Sequence, residues 1–302
     1  MHPEIKEIAN SFTNTRLKKI VNVYQTDYKN MKSPGLGDFL RGCFCLMQVC
    51  RLINVEFDID ISQHPLSKYI ENPTRVEGVD YNNIHAYMEH NRRNGKNNYE
   101  TVASNINPSF LRNIINYFNS QNCETLGLFS NAFPSFNIYS QIGKELIKSR
   151  LRPNEYMRNY VDFTLNQIGL SKKGYGVIHI RSGDKYLVNG EVMSESFMTW
   201  IDNIIKHYTF PDRRYLIISD CNIIKKYLKS HSNFYIYVRA IEHLGGEALK
   251  SIETNGIMNT MLDFFLMEHS NAILSLSVYD HVSGFSKYSS ILNDIPFKYI
   301  KL

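Results

Sequence analysis

Short runs of β-branched and aromatic residues recur along the chain, each followed by a segment whose apolar positions fall three and four apart. The first pattern predicts buried strands and the second amphipathic helices. Strands are predicted over Ile20–Tyr24, Val55–Ile61, Thr125–Ser130, Val177–Ile180, Arg214–Ser219, Phe234–Val238 and Ala272–Leu276. Helices are predicted from Asp38 through Leu52, over Ile138–Leu146, Glu155–Ile168, Glu195–His207, Asn222–Lys229 and Asn259–Ser270, and onward from Ser283. Their alternation predicts an α/β fold of parallel sheets with crossover helices. Arg150-Leu151-Arg152-Pro153-Asn154 interrupts the rhythm, because proline ends one element before the next begins. Two domains are therefore expected, 1–152 and 153–302, the second a doubly wound domain of its own.

The first ordered unit is expected to begin near Lys18. Residues 71–108 are rich in Asn and Arg and poor in aliphatics, with the densest polar run at His90 to Asn98. They predict a long loop or insertion on the first domain, either bordering the acceptor side of a cleft or solvated without a role.

Composition narrows the class. The 302 residues are 43% hydrophobic and 21% charged, as expected of an ordered globular protein. The net charge of +5 is spread along the chain, which suits small anionic ligands and argues against a nucleic-acid surface. Five cysteines without metal-type spacing predict a reducing compartment. The opening Met-His-Pro-Glu-Ile-Lys-Glu lacks the apolar core of a secretory signal, and no window reaches the length of a membrane span. No membrane partner is expected.

Four stretches carry candidate chemistry. Gly174 to Leu187 contains the predicted strand Val177–Ile180 and ends in Arg181-Ser182-Gly183-Asp184-Lys185. Ligands of open α/β sheets bind beyond the carboxyl ends of the strands, which is where these charges fall. The planar fork of Arg181 matches phosphate oxygens. His179 stands two residues earlier, on the same strand face. A surface Asp-Lys pair with a core histidine is the competing reading. Pro34-Gly35 and Gly37, with Asp38 as helix cap, make either an anion-binding helix start or a plain βα turn. Ser283-Gly284-Phe285-Ser286 is either a phosphate loop or an ordinary N-cap. Asp263, on the helix before Ala272, reads by itself as an exposed acid. Asp58-Ile59-Asp60 has the form of a metal motif, yet alternation within a strand explains it better as one half-exposed face, so no metal is expected.

Together these stretches resemble the α1,6-fucosyltransferases, and more loosely the nodulation and protein O-fucosyltransferases. The shared pieces are Leu151-Arg152-Pro153 before a helix, His179-x-Arg181-x-x-Asp184-Lys185, Tyr215 to Asp220, Met261-Leu262-Asp263, Gly284-Phe285-Ser286 and Gly35-Leu36-Gly37. The likeness covers the second domain and touches the first only at the glycine turn. It implies a GT-B-like enzyme, with two Rossmann-like domains facing across a cleft, that moves L-fucose from GDP-fucose to a glycan hydroxyl. Inversion without a metal is implied too. Arg181 would bind the β-phosphate and stabilise departing GDP; His179 and Asp263 would face guanosine; Ser286 and the backbone at Gly284 would hold phosphate. Lys185 would neutralise charge or orient a carboxylate. The family's glutamate base has no strict counterpart, since Asn189 occupies that spacing, and Glu191 is the candidate that remains. The chain also lacks the stem, membrane anchor and SH3-like domain of the eukaryotic enzymes, so a cytoplasmic enzyme is expected. A donor such as a UDP-sugar, or a non-catalytic nucleotide- or glycan-binding role on the same fold, stays open.

Overall fold

The protein is described from a computed structural model that covers residues 3–28, 31–89, 107–134, 139–183, 194–229, 233–239, 241–242, 244–245 and 255–302. Its internal contacts divide it into two units. One runs through Arg152 and includes Leu244 and Gly245; the other comprises the rest of the chain from Pro153. Each is a parallel sheet with helices packed on it.

The first unit contains β1 (Lys19–Gln25), β2 (Asp27–Tyr28), β3 (Met31–Lys32), β4 (Glu56–Gln63), β5 (His85–Tyr87) and β6 (Thr125–Ser130). Its main sheet has the order β4-β1-β6-β5 with every pairing parallel, while β2 and β3 form a small antiparallel ribbon. Helices α1 (Pro3–Asn10), α2 (Leu36–Ile53), α3 (Pro108–Asn119) and α4 (Gln141–Arg150) complete it. Ile5 and Ile8 of α1, Leu46 and Val49 of α2 and Phe110, Ile114 and Phe118 of α3 close over Ile20 and Leu128 as one core.

Several expectations are corrected here. Order begins at α1, well before Lys18. The polar stretch 71–108 contributes β5, which extends the sheet beside β6; its densest run, residues 90–98, lies outside the described residues. The helix start is capped by the backbone of Gly35, whereas Asp38 sits in the first turn paired with Arg41 at 2.9 Å. Asp58 and Asp60 are both buried, where a half-exposed face was expected. Arg150 grips Asp58 with two nitrogens at 2.7–3.0 Å, and Asp60 accepts from the Ser62 and Val76 N–H groups and the Tyr81 hydroxyl. Protein donors therefore satisfy both carboxylates.

The second unit contains β7 (Gly176–Arg181), β8 (Tyr215–Ser219), β9 (Phe234–Tyr235), β10 (Ala272–Ser277) and β11 (Phe297–Lys301), ordered β11-β10-β7-β8-β9 and parallel throughout. The strand expected over Phe234–Val238 stops at Tyr235, and the edge strand β11 was not foreseen. Helices α5 (Glu155–Gln167), α6 (Glu195–Tyr208), α7 (Asn222–Leu228), α8 (Gly256–Glu268) and α9 (Gly284–Asn293) cover the sheet. Ile178 and Ile180 of β7 and Ile217 of β8 bury against Ile201 and Ile205 of α6 and Ile224 and Leu228 of α7. Helix α8 is buried nearly all round, from Gly256 through Met267 apart from Thr260, as befits a helix enclosed by neighbours. Among the described residues no helix is long and apolar enough to cross a membrane.

Candidate active site

The sequence delivers a charged turn to the end of a fully buried strand. β7 occupies the centre of its sheet, with Ile180 opposite Ser219 of β8 and Leu276 of β10. On the β8 side the next residue of each strand is charged: Arg181 ends β7 and Asp220 follows β8. The Arg181 Nη1 lies 2.7 Å from the Asp220 Oδ2, with the side chains only 16% and 8% exposed. Asp220 does more than neutralise the arginine. Its Oδ1 accepts from the Ser182 N–H at 2.8 Å and the Ser182 hydroxyl at 2.6 Å, and its Oδ2 accepts from the Gly183 N–H at 3.4 Å. One carboxylate thus sets both the guanidinium and the turn behind it.

That turn requires Gly183. Its φ of +110° lies where side chains are disfavoured, and an added Cβ would stand 3.1 Å from Val278 Cγ2. Asp184, Lys185 and Glu191, three of the sequence candidates, lie outside the described residues.

His179 faces the other way in chemical terms. It is 5% exposed, and its Nδ1 lies 3.0 Å from the Ser286 Oγ, which is 3.0 Å from the Ser275 Oγ. Ser275 is the register partner of His179 in the sheet, so strand pairing and the start of α9 together fix the ring. Burial lowers the His179 pKa to about 4, with Asp220 pulling it up and Arg181 and Lys225 down. The imidazole is therefore neutral near pH 7. The Phe285 ring stands 6.0 Å from it.

The four residues Ser283 to Ser286 divide in two. Ser283 occupies the N-cap position of α9 but makes no capping bond through its side chain, and Gly284 opens the helix. Ser286 is fully buried, and its hydroxyl is engaged by His179, Ser275 and the Ser283 carbonyl. A hydroxyl has one proton and two lone pairs, so these contacts use its capacity. Ser286 orients His179.

Asp263 overturns the exposed-acid reading. It is 3% exposed within α8, and its Oδ1 has no hydrogen-bond partner among the described residues. Burial raises its pKa from the usual 3.8 to about 6, against the pull of Lys225. A carboxyl raised in the folded state favours folding while protonated, below about pH 4, and that advantage is lost as pH rises through about 6. The displacement corresponds to roughly 3 kcal/mol. Denaturant unfolding at pH 4 and pH 7 should therefore show the wild type losing about 2–3 kcal/mol more than Asp263→Asn over that interval. Parallel pH profiles for the two proteins would overturn this assignment.

The structure thus brings His179, Arg181 and the start of α9 together in the second unit, and adds Asp220. Gly35, Gly37 and Asp38 belong to the first unit. There the Tyr24 hydroxyl reaches the Pro34 and Leu244 carbonyls at 2.8 and 2.6 Å, and a Cβ on Gly245 would stand 2.5 Å from the Gly35 nitrogen. The glycine turn is packed directly under residues 244–245. No group of three or more His, Cys, Asp or Glu poised for a metal occurs among the described residues.

No protein-family model and no curated protein matches the chain. Solved structures do. The fucosyltransferase NodZ from Bradyrhizobium is similar over 92% of this chain and 94% of its own, with a TM-score of 0.48 and 13% identity. POFUT1 in complex with GDP-fucose is similar over 93% and 98%, with a TM-score of 0.47 and 10% identity. A mutant FUT1 of Arabidopsis thaliana in complex with GDP gives 98% and 73%, a TM-score of 0.49 and 8% identity. At such identity no residue role transfers from them.

Proposed function

We propose that the protein is a glycosyltransferase that takes L-fucose from GDP-fucose to a glycan hydroxyl, with inversion and without a metal. The observation that carries this reading is Arg181, held by Asp220 at the carboxyl end of the central strand, beside the buried His179–Ser286 pair.

In the proposed reaction the acceptor oxygen attacks the anomeric carbon from the face opposite the diphosphate. The carbon–oxygen bond to the β-phosphate breaks, and its electron pair leaves on the phosphate oxygen. Negative charge grows there, so a cation already fixed in place lowers the barrier without reorganising. Arg181 supplies that charge and Asp220 its orientation. The N–H groups opening α9 at Gly284 and Phe285 would face phosphate, as helix starts do. Asp263 would accept from the guanine ring, and neutral His179 would bound the nucleoside. Glu191 is the proposed base for the acceptor proton, and Lys185 would neutralise charge or orient a carboxylate. Gly35, Gly37 and Asp38 are proposed as donor-binding residues of the first unit.

Isothermal titration tests the donor. GDP should bind the wild type about tenfold or more tightly than UDP, and acceptor sugars should accelerate GDP release from GDP-fucose. Preference for UDP would remove fucose from the proposal, while donor binding with no release under any acceptor would leave a binding protein.

A further inference from the structure

Leu244 and Gly245 are seated in the first unit more closely than a loop segment needs to be. Leu244 is 2% exposed, and its carbonyl accepts from the Tyr24 hydroxyl at 2.6 Å. The same hydroxyl reaches the Pro34 carbonyl at 2.8 Å, so one side chain near the carboxyl end of β1 ties the segment to the glycine turn. A hydroxyl has one proton and cannot serve two carbonyls fully. A second donor stands beside it. His64, just past β4, lies flat against the Tyr24 ring with centroids 4.1 Å and planes 1° apart, and Phe39 of α2 stacks on that ring at 4.4 Å. The His64 Nδ1 accepts from the Leu66 N–H at 3.2 Å, which leaves the ring proton on Nε2. That buried N–H has no hydrogen-bond partner among the described residues. Burial lowers the His64 pKa to about 3 and the Leu244 carbonyl pulls it back up, so the ring is neutral with that carbonyl among its neighbours. Gly245 completes the fit. A Cβ there would stand 2.5 Å from the Gly35 nitrogen and the Pro34 carbonyl carbon, and 2.8 Å from the Pro34 oxygen. All three are backbone atoms that cannot rotate aside, so the approach needs glycine.

We propose that Leu244–Gly245 is a strap that holds the glycine turn in its donor-binding form, with Tyr24 as the positioning residue. This rests on the reading of Gly35, Gly37 and Asp38 as donor-binding residues. The turn is poorly equipped to hold itself. The start of α2 has no side-chain cap, and glycines at 35 and 37 have the most backbone freedom to lose. A ligand held by backbone N–H groups binds best when those groups are aligned before it arrives, because ordering them afterwards is subtracted from affinity. The strap supplies that order from outside the turn: Tyr24 fixes Pro34, and Gly245 closes on Gly35. Tyr24 is fully buried and acts only through the turn.

Hydrogen exchange and GDP titration of the full chain test this in Tyr24→Phe, Gly245→Ala and the double variant. Phenylalanine keeps the ring stack and removes only the shared donor; alanine adds only the Cβ for which the Gly35 backbone leaves no room. Each single variant should speed exchange of the amides from Gly35 to Asp38 by about ten- to a hundredfold, the range set by losing a buried hydrogen bond. The amides of Ile20 to Val23 in β1 should change by less than about twofold, since the strand itself stays paired. GDP affinity should fall about tenfold in each single variant. The double variant should lose no more than the worse single, because a strap once released cannot be released again. Additive losses, or exchange in β1 that rises as much as in the turn, would mean plain destabilisation and overturn the proposal. Unchanged GDP affinity in both single variants, beside a wild type that binds GDP, would overturn it too and leave the nucleotide reading of the second unit intact. If Gly245→Ala does not fold, Tyr24→Phe decides through the contrast between turn and strand and through its GDP affinity. A wild type that does not bind GDP sinks both.

Discussion

Arg181→Ala should lose about 10²–10³-fold in the turnover of GDP-fucose, the usual cost of removing one preorganised group from a developing oxyanion. The loss should lie in chemistry and donor binding and leave the fold standing. Asp220, the partner left behind, still accepts from the Ser182 N–H, the Ser182 hydroxyl and the Gly183 N–H. A carboxylate with three remaining donors is not an orphan, so thermal unfolding should move little. Arg181→Lys separates charge from shape: an ammonium keeps the former, but has no planar fork to serve a carboxylate and a phosphate at once. Its activity should fall between those of wild type and alanine variant. GDP release in the presence of an acceptor sugar, with GDP titration alongside, measures both effects. An alanine variant that binds and turns over like wild type would reduce Arg181 to a structural ion pair.

Much of this arrangement was legible in the sequence, and the parts that were not share physical causes. β7 and β8 are largely apolar runs, broken in β7 by His179, and each runs into a charge, the mark of strands buried on both faces; both stand close to where they were expected. Asp220 ends the shared stretch Tyr215 to Asp220 but is not among the residues the resemblance assigns to the site. The signal for it was present, because two parallel neighbours that each end in a charge of opposite sign will meet if their ends align. Alignment is a matter of register, and the pairing of Ile180 with Ser219 appears only in three dimensions.

Asp263 departs from the expected exposed acid for a related reason. Leu262, Phe265 and Leu266 form one apolar stripe in the sequence, and a stripe of that width suits a helix with one wet side, whereas α8 is enclosed on nearly every side. Helix α3 is not among the expected helices, although Asn107-Pro108 opens it, with Asn107 capping the Ser109 N–H. β5 is three residues long inside a polar excursion, and β11 is a half-exposed edge; neither has enough apolar content to stand out. The site residues on regular elements could therefore be named from the sequence. The groups that complete them depend on which strands and helices become neighbours.

Asp220→Ala should do the opposite of Arg181→Ala, destabilising the protein first and the reaction as a consequence. The substitution removes the shared acceptor and leaves the Arg181 guanidinium, the Ser182 N–H and hydroxyl, and the Gly183 N–H facing one another. Breaking a buried pair from one side typically costs about 3–5 kcal/mol, because the surviving charge stays desolvated without its counter-charge. For a unit of this size that is on the order of 10 °C in Tm. Water can reach part of the gap, since Arg181 retains 16% exposure, which argues for the lower half of the range. Asp220→Asn keeps the volume and one acceptor oxygen but points an amide donor at a neighbouring donor, so it should fall between alanine and wild type. Calorimetry on the nucleotide-free protein isolates the effect from donor binding. A shift below about 2 °C for the alanine variant would mean that Gly183 and its packing against Val278 hold the turn without Asp220. The contrast matters more than either number: if Arg181→Ala is folded and inactive while Asp220→Ala is unstable, the two halves of one ion pair have separate duties. The arginine then serves the departing diphosphate, and the aspartate serves the arginine.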